Sequence, residues 1–284
     1  MSKEEDRRID AVLDDAVTRL ASASDSPRLD AELLLCHSID LPRSYLFAHP
    51  EDTLDEKTFS RFDALLRRRL RGEPMAYITG TKEFWSRELL VSPATLVPRP
   101  ETELLVDLAL REIPRKAEWQ ILDLGTGSGA IAIALAAERM MCEITAVDIS
   151  DTALAIAREN ARQHSLVNIT FAQGSWADPV RGRRFDLIVS NPPYVRTGDA
   201  ALAELRHEPV EALAAGADGL DAIRALAADC GQILRRGGAL LIEHGADQYD
   251  DVAAILAASG WTDISNYKDF AGHPRVTAAR QGDK

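Results

Sequence analysis

Ile121-Leu122-Asp123-Leu124-Gly125-Thr126-Gly127-Ser128-Gly129-Ala130-Ile131-Ala132-Ile133 reads as a buried strand, a glycine turn and the start of a helix. The glycines let the chain reverse sharply and leave bare main chain for a ligand to lie against. Gly125, Thr126, Gly127, Ser128 and Gly129 are therefore the first candidates for contact with a nucleoside cofactor. The turn alone does not say which one, because Gly125, Gly127 and Ala130 also satisfy a dinucleotide fingerprint. The next strand, Ile144-Thr145-Ala146-Val147-Asp148, ends in a carboxylate about twenty residues further on, where it can accept hydrogen bonds from both ribose hydroxyls. NAD and S-adenosylmethionine are served equally by that position. The competing role for Asp148 is to cap a helix starting near Asp151. Asp123 has orientation of the loop as its plainer reading. Trp176, after a third strand, either packs on the base or is an ordinary buried tryptophan.

Working outward, strands and helices alternate from Trp119 onward. Strands are expected at 120–124, 143–148, 168–172, 185–190, 239–243, 261–267 and 274–280, with helices at 129–138, 151–163 and 220–234. Such alternation implies a parallel sheet covered on both faces. The loop from Asp269 to His273 is too short for a crossover helix, so the last two strands are expected to pair antiparallel. Upstream, residues 74–99 suggest a hairpin linker, with Tyr77 to Gly80 and Phe84-Trp85 flanking a Thr-Lys-Glu turn. After Val97-Pro98-Arg99-Pro100 a helix begins near Glu101. Residues 1–73 read as helices only, from Ile9 to Leu20, after Pro27, and from Phe59 to Leu70. This small helical domain is expected to serve recognition. Its run Arg67-Arg68-Arg69, with Arg71, either meets an acidic partner or is a solvated face. The catalytic domain is expected at 100–284.

With 284 residues, two domains fit comfortably. Three well-separated cysteines, Cys36, Cys142 and Cys230, argue against a disulfide framework or a zinc site, and no metal is expected. The start MSKEEDRRID is charged rather than signal-like. No apolar run approaches the ~18 residues of a membrane helix. A cytoplasmic protein without membrane contact is expected. The net charge of −12 favours a protein or small-molecule substrate over nucleic acid.

The segment after the fourth strand carries the chemistry. Phe185 to Ser190 runs into Asn191-Pro192-Pro193-Tyr194, and in an open α/β sheet this places the tetrapeptide beside the cofactor. An amide nitrogen is a poor nucleophile because its lone pair is shared with the carbonyl. Asn191 offers a side-chain carbonyl, and Pro192 and its neighbours offer main-chain carbonyls on a chain stiffened by two rings. Two acceptors aimed at one NH2 group fix its geometry and stabilise the charge that develops on methyl transfer. Tyr194 gives a flat face for a planar target. The plain alternative is an Asn-Pro turn that punctuates a loop.

With these residues in view, the chain resembles the HemK/PrmC group of protein-(glutamine-N5) methyltransferases. The likeness runs through DSPRLDAELLL (25–35), GEPMAYITGTKEFW (72–85), VSPATLVPRPETE (91–103), ILDLGTGSGAIAIALA (121–136), VSNPPY (189–194), HEPVEAL (207–213), GADGLDAI (216–223) and LIEHG (241–245). The tetrapeptide is shared with adenine-N6 and cytosine-N4 DNA methyltransferases, whereas the 72–85 and 91–103 segments are more specific to the glutamine enzymes. The resemblance implies a Rossmann-like class I methyltransferase sheet with one antiparallel strand near the edge, and a small N-terminal helical domain. It further implies S-adenosyl-L-methionine as cofactor and class 1 release factors as substrate, methylated on the glutamine of the Gly-Gly-Gln loop. By position, Gly125 to Gly129, Asp148, Trp176 and Asn191 contact the cofactor, and Asn191 to Tyr194 hold the glutamine. Val97 to Thr102 closes over the methionine end. Ser175 stands where related sequences often carry an acidic residue, which weakens an adenine contact. His244 either lines the pocket or packs. Competing readings are a glutamine methyltransferase for a ribosomal protein, a nucleic-acid amino methyltransferase, and a cofactor-stabilised reader without turnover; an oxidoreductase has no support from the tetrapeptide.

Overall fold

The spacing of apolar residues along the first eighty positions builds helices. The computed structural model of the protein describes residues 7–282; the charged start from Met1 to Asp6 lies outside them. The chain divides into two compact units, residues 1–80 and 81–284. The first contains α1 (Ile9–Leu20), α2 (Pro27–Ile39), α3 (Arg43–Ala48), α4 (Glu56–Leu70) and α5 (Met75–Thr79). Ile9, Leu13, Ala16 and Leu20 on α1 meet Leu34 and Leu35 on α2 and Phe62 and Leu66 on α4 in one core. Pro27 sits at the start of α2, where its missing N–H costs nothing. The Asp55 carboxylate caps α4 by accepting the Thr58 amide at 2.7 Å. The arginine run on α4 is split: Arg67 is exposed and pairs with Asp63 one turn back, whereas Arg68 pairs with Glu73 and Arg69 reaches the buried Asp30.

The expected hairpin linker is divided differently. Tyr77, Ile78 and Thr79 are helical, as part of α5 in the first unit. The hairpin belongs to the second unit, with β1 (Thr81–Phe84) pairing antiparallel to β2 (Arg87–Leu90). Thr81-Lys82-Glu83 is strand, and the turn is Trp85-Ser86, both with positive φ. A two-residue turn of that kind matches the twist of the strands, but usually advertises itself as Asn-Gly. Trp-Ser gives no such signal. Asn160, on the later helix Asp151–Gln163, fixes β2, its side chain accepting the Leu90 N–H and donating to the Leu90 carbonyl.

The remainder follows the expected alternation: α6 (Glu103–Glu112), β3 (Gln120–Leu124), α7 (Ala130–Glu138), β4 (Glu143–Asp148), α8 (Asp151–Gln163), β5 (Ile169–Gln173), β6 (Phe185–Ser190), α9 (Ala201–Glu204), α10 (Asp221–Ile233), β7 (Leu234–Glu243), α11 (Tyr249–Ala258), β8 (Trp261–Lys268) and β9 (Pro274–Gln281). The seven strands lie in the order β5-β4-β3-β6-β7-β9-β8. Neighbours from β5 to β7 are parallel, while β9 is antiparallel to both β7 and β8. The short 269–273 loop permits only a reversal, so β9 folds back into the space between β7 and the edge strand. Apolar clusters cover both faces, one including α6 and α7 and the other α10 and α11, which explains why β3 and β6 are apolar along most of their length. Chain order switches direction between β3 and β6, the place where open sheets leave a crevice. There the Ser190 hydroxyl donates to the Leu124 carbonyl at 2.7 Å, tying the two strand ends together. Among the described residues no helix is long and apolar enough to cross a membrane.

Candidate active site

A cavity of about 430 Å³ opens at the carboxyl ends of β3, β4 and β6. On one side lie Gly125, Thr126, Gly127 and Ser128, with Asp148 and Trp176; on the other lie Asn191 and Pro193. The residues expected to bind cofactor and those expected to hold the target therefore share one space, with three qualifications. Gly129 does not line it: a Cβ there would meet Ala157 and Ile133 at 3.1 Å, so this glycine serves helix packing. Pro192 is buried and its side chain does not line the cavity. Tyr194 is half-buried, and its hydroxyl donates to Glu243 Oε1 at 3.2 Å instead of opening a flat face to the cavity.

The glycine turn organises itself. Gly125 and Gly127 hold φ of 74° and 56°, values that suit glycine. A Cβ on Gly127 would meet nothing within 4 Å, so bare main chain faces the cavity. The Thr126 hydroxyl donates to Asp123 Oδ2 at 2.6 Å. Asp123 is fully buried, and burial pushes its carboxyl up to about 7 against the pull of the Thr126 hydroxyl. It orients the loop from below. Asp148 accepts the Gly127 N–H at 2.8 Å on one oxygen and the Ser150 N–H at 2.9 Å on the other. It is not the cap of α8: Ser150 fills that role through the Ala153 amide. Each carboxylate oxygen keeps a further lone pair for a hydroxyl in the cavity. Bare main chain, a carboxylate at the neighbouring strand end and an aromatic ring beside Gly125 fit an adenosine with its ribose diol. Ser175, exposed at the cavity edge, offers a hydroxyl there.

The Asn191 side is held from afar. Its Nδ2 donates to the Thr102 hydroxyl at 3.0 Å, leaving Oδ1 as the acceptor. Thr102 lines the same cavity and is otherwise buried. Gln248 donates to the Tyr194 carbonyl at 3.0 Å. Beyond the tetrapeptide, Val195 exchanges main-chain bonds with Leu213 and Ala215. The Val97 to Thr102 segment is clasped by the buried Glu208, which accepts the Val97 amide at 3.0 Å and pairs with Arg99. Pro98 faces the cavity and so do Pro209 and Ala212, so two clasped segments form its rim. His244 packs: it is fully buried and bonds Thr277 Oγ1 and the Gly245 carbonyl. Thr102 lies in the Val97 to Thr102 segment expected to close over the site, but its bond to Asn191 was not foreseen, and Glu208 and Glu243 were given no role. Both glutamates lie in quoted segments, HEPVEAL and LIEHG, and only the fold shows that they are buried.

Comparison with known proteins adds an independent line. Residues 11–80 match the family model of the PrmC N-terminal domain, and residues 101–219 match the methyltransferase small domain. The release factor glutamine methyltransferase of Vibrio cholerae is 48% identical over 273 residues, covering 95% of each chain. That of Coxiella burnetii is 46% identical over 264 residues, covering 93% of this chain and 95% of the relative. A structure of the 16S rRNA N2 G1207 methyltransferase of Thermus thermophilus, in complex with AdoMet and guanosine, superposes with a TM-score of 0.54 at 20% identity. It covers 71% of this chain and 49% of its own, and bears on the fold alone.

Proposed function

This chain belongs to the release factor glutamine methyltransferase family, and from that premise we propose how its cavity methylates a release-factor glutamine. The family uses an S-adenosylmethionine-type cofactor, which supplies a methyl group on a sulfonium. We assign S-adenosyl-L-methionine itself, with the Asp148 carboxylate on the ribose hydroxyls, the Gly125 to Ser128 main chain along the nucleoside, and Trp176 beside the base. The target is the glutamine of the Gly-Gly-Gln loop in class 1 factors. Asn191 Oδ1 and a main-chain carbonyl of the tetrapeptide accept the two N–H groups of its amide. Holding both hydrogens directs the nitrogen lone pair at the methyl carbon and offsets the positive charge that grows on nitrogen. A carbon–nitrogen bond forms as the carbon–sulfur bond breaks, and the amide then releases one proton. The observation that carries this reading is that Asn191 and the glycine turn line one cavity, with the Asn191 amide nitrogen engaged by Thr102. We assign the helical unit to recognition of the intact factor.

The test is a methyl-transfer assay on an intact class 1 factor, its glutamine-to-glutamate and glutamine-to-asparagine variants, and a free loop peptide, with the modified residue located by fragmentation. Glutamate is expected to abolish transfer, since it lacks the nitrogen and repels the acceptors. Asparagine is expected to react very poorly, because its shorter reach spoils the attack geometry. The peptide is expected to react much more slowly than the factor. Label on another residue overturns the substrate; equal rates on peptide and factor remove the recognition role.

A further inference from the structure

Asn191 poses a question that its own hydrogen bond does not answer. A threonine hydroxyl can donate or accept, so Thr102 could face either end of the Asn191 amide. Only the observed arrangement, with Nδ2 on Thr102, leaves Oδ1 to accept a substrate N–H. Something must commit the Thr102 proton elsewhere. Behind it stands Glu243, at the end of β7 and 1% exposed. Its Oε1 accepts the Tyr194 hydroxyl, while Oε2 has no hydrogen-bond partner among the described residues. The Thr102 hydroxyl favours the charged form of this carboxyl, as Arg275 and the Tyr194 hydroxyl also do, although it forms no hydrogen bond to Oε2. An acceptor-only carboxylate with a vacant oxygen faces a hydroxyl whose proton needs a destination.

We propose that Glu243 is a positioning residue for methyl transfer: as a carboxylate it takes the Thr102 proton and the Tyr194 proton, and so fixes which end of the Asn191 amide faces the substrate. The chain of donors runs from Asn191 through Thr102 to Glu243, with Tyr194 returning to the same carboxylate from the far end of the tetrapeptide. One buried group thereby holds both ends of Asn191-Pro192-Pro193-Tyr194. This rests on the role given above to Asn191. A protonated or amidated residue at 243 can donate to Thr102, which frees the threonine to donate to Asn191 Oδ1 and turns the amide around.

Electrostatics gives the proposal a pH signature. Burial pushes the Glu243 carboxyl up to about 7. The groups facing it are Thr102 and Glu101 from the turn before α6, Tyr194 from the loop after β6, and Arg275 from β9. Arg275 and the two hydroxyls hold the value down, and Glu101 raises it. Activity that needs the carboxylate falls as pH drops through about 7.

The experiment measures kcat, KM and cofactor affinity for wild type, Glu243→Gln, Thr102→Val and Thr102→Ser on an intact release factor, with kcat/KM followed from about pH 5.5 to 9, since that ratio reports groups of the free enzyme. Glu243→Gln is expected to lower kcat roughly 10- to 100-fold, the effect of misplacing one preorganised acceptor, with cofactor affinity preserved and the acid limb near pH 7 gone. Thr102→Val is expected to match it and Thr102→Ser to recover most of the rate. The double variant Glu243→Gln/Thr102→Val is expected to be little worse than either single, because both cut one chain. Wild-type kcat in Glu243→Gln, an acid limb that persists in it, or serine no better than valine at 102 overturns the proposal. A wild-type profile flat through pH 7 does so without any variant. If Asn191→Ala is slow while Glu243→Gln is normal, the role of Asn191 stands and only this inference falls.

Discussion

The loop after β3 and the loop after β6 meet across one cavity, yet they are built in opposite ways. The glycine turn is held by partners close in sequence: Thr126 to Asp123 across three positions, and Gly127 to Asp148 across 21. The Asn191 loop is held by Thr102 across 89 positions, Glu243 across 49 and Gln248 across 54. Under the proposed function, the cofactor is met by a local device that one strand–turn–helix unit can carry, and the target amide by a loop whose orientation depends on residues far away in the chain. Affinity for cofactor and competence in transfer are therefore expected to fail separately.

The strongest way to break that separation is a pair of substitutions. Asn191→Ala is expected to cut kcat by roughly 10²–10³ while leaving cofactor affinity near wild type, as removal of one preorganised polar group usually does. Asp148→Ala is expected to weaken S-adenosylmethionine and S-adenosylhomocysteine alike by roughly 2–4 kcal/mol, two hydrogen bonds to a charged acceptor being lost in part. Calorimetry and single-turnover rates on both variants decide the matter. If each variant moves both quantities equally, the two loops act as one unit.

A second pair divides the glycine turn itself. Gly129→Ala places a methyl group 3.1 Å from Ala157 and Ile133 at a φ of 84°. It is expected to cost about 2–3 kcal/mol of stability, combining left-handed strain with crowding. Gly127→Ala meets no neighbour. Its cost is expected near 1 kcal/mol, with the larger effect on cofactor affinity because the methyl group enters the cavity. Denaturant melts with and without cofactor separate the two. Equal melts would mean that both glycines serve the same purpose.

The smallest effect concerns Asp123. Its folded pKa, about 7, lies above the ordinary carboxylate value, so folding takes up a proton and wild-type stability falls as pH rises from about 4 to about 7. Asp123→Asn keeps an acceptor for Thr126 and removes the charge. It is expected to leave stability unchanged near pH 4 and to raise it by on the order of 1–2 kcal/mol at pH 8, with the remaining slope owed to Glu243. Thermal melts across that range test it; a variant less stable at pH 8 shows that the buried charge is compensated.

Legibility followed the same division. The strands 120–124, 143–148 and 185–190 were read to the residue, because a parallel sheet buried on both faces leaves short, mostly apolar runs that end at turn-forming or polar residues. The hairpin was misplaced because Trp85-Ser86 hides its turn, and α3 and α5 were missed because six and five residues carry too little periodicity. Of the partners of the Arg67–Arg69 run, Asp63 and Glu73 lie within five positions, but Asp30 lies 39 positions away and only the fold brings it to Arg69.

By itself the sequence determined the α/β alternation, the reversal of the last strand and the presence of a glycine turn after one strand and an Asn-Pro-Pro-Tyr tetrapeptide after another, since each depends on residues within a few positions of one another. The tertiary structure alone decided which of those residues face the cavity. Gly129 turned to packing, Tyr194 turned toward Glu243, and Thr102 set the Asn191 amide, because burial and hydrogen-bond direction depend on neighbours that only the folded sheet brings together.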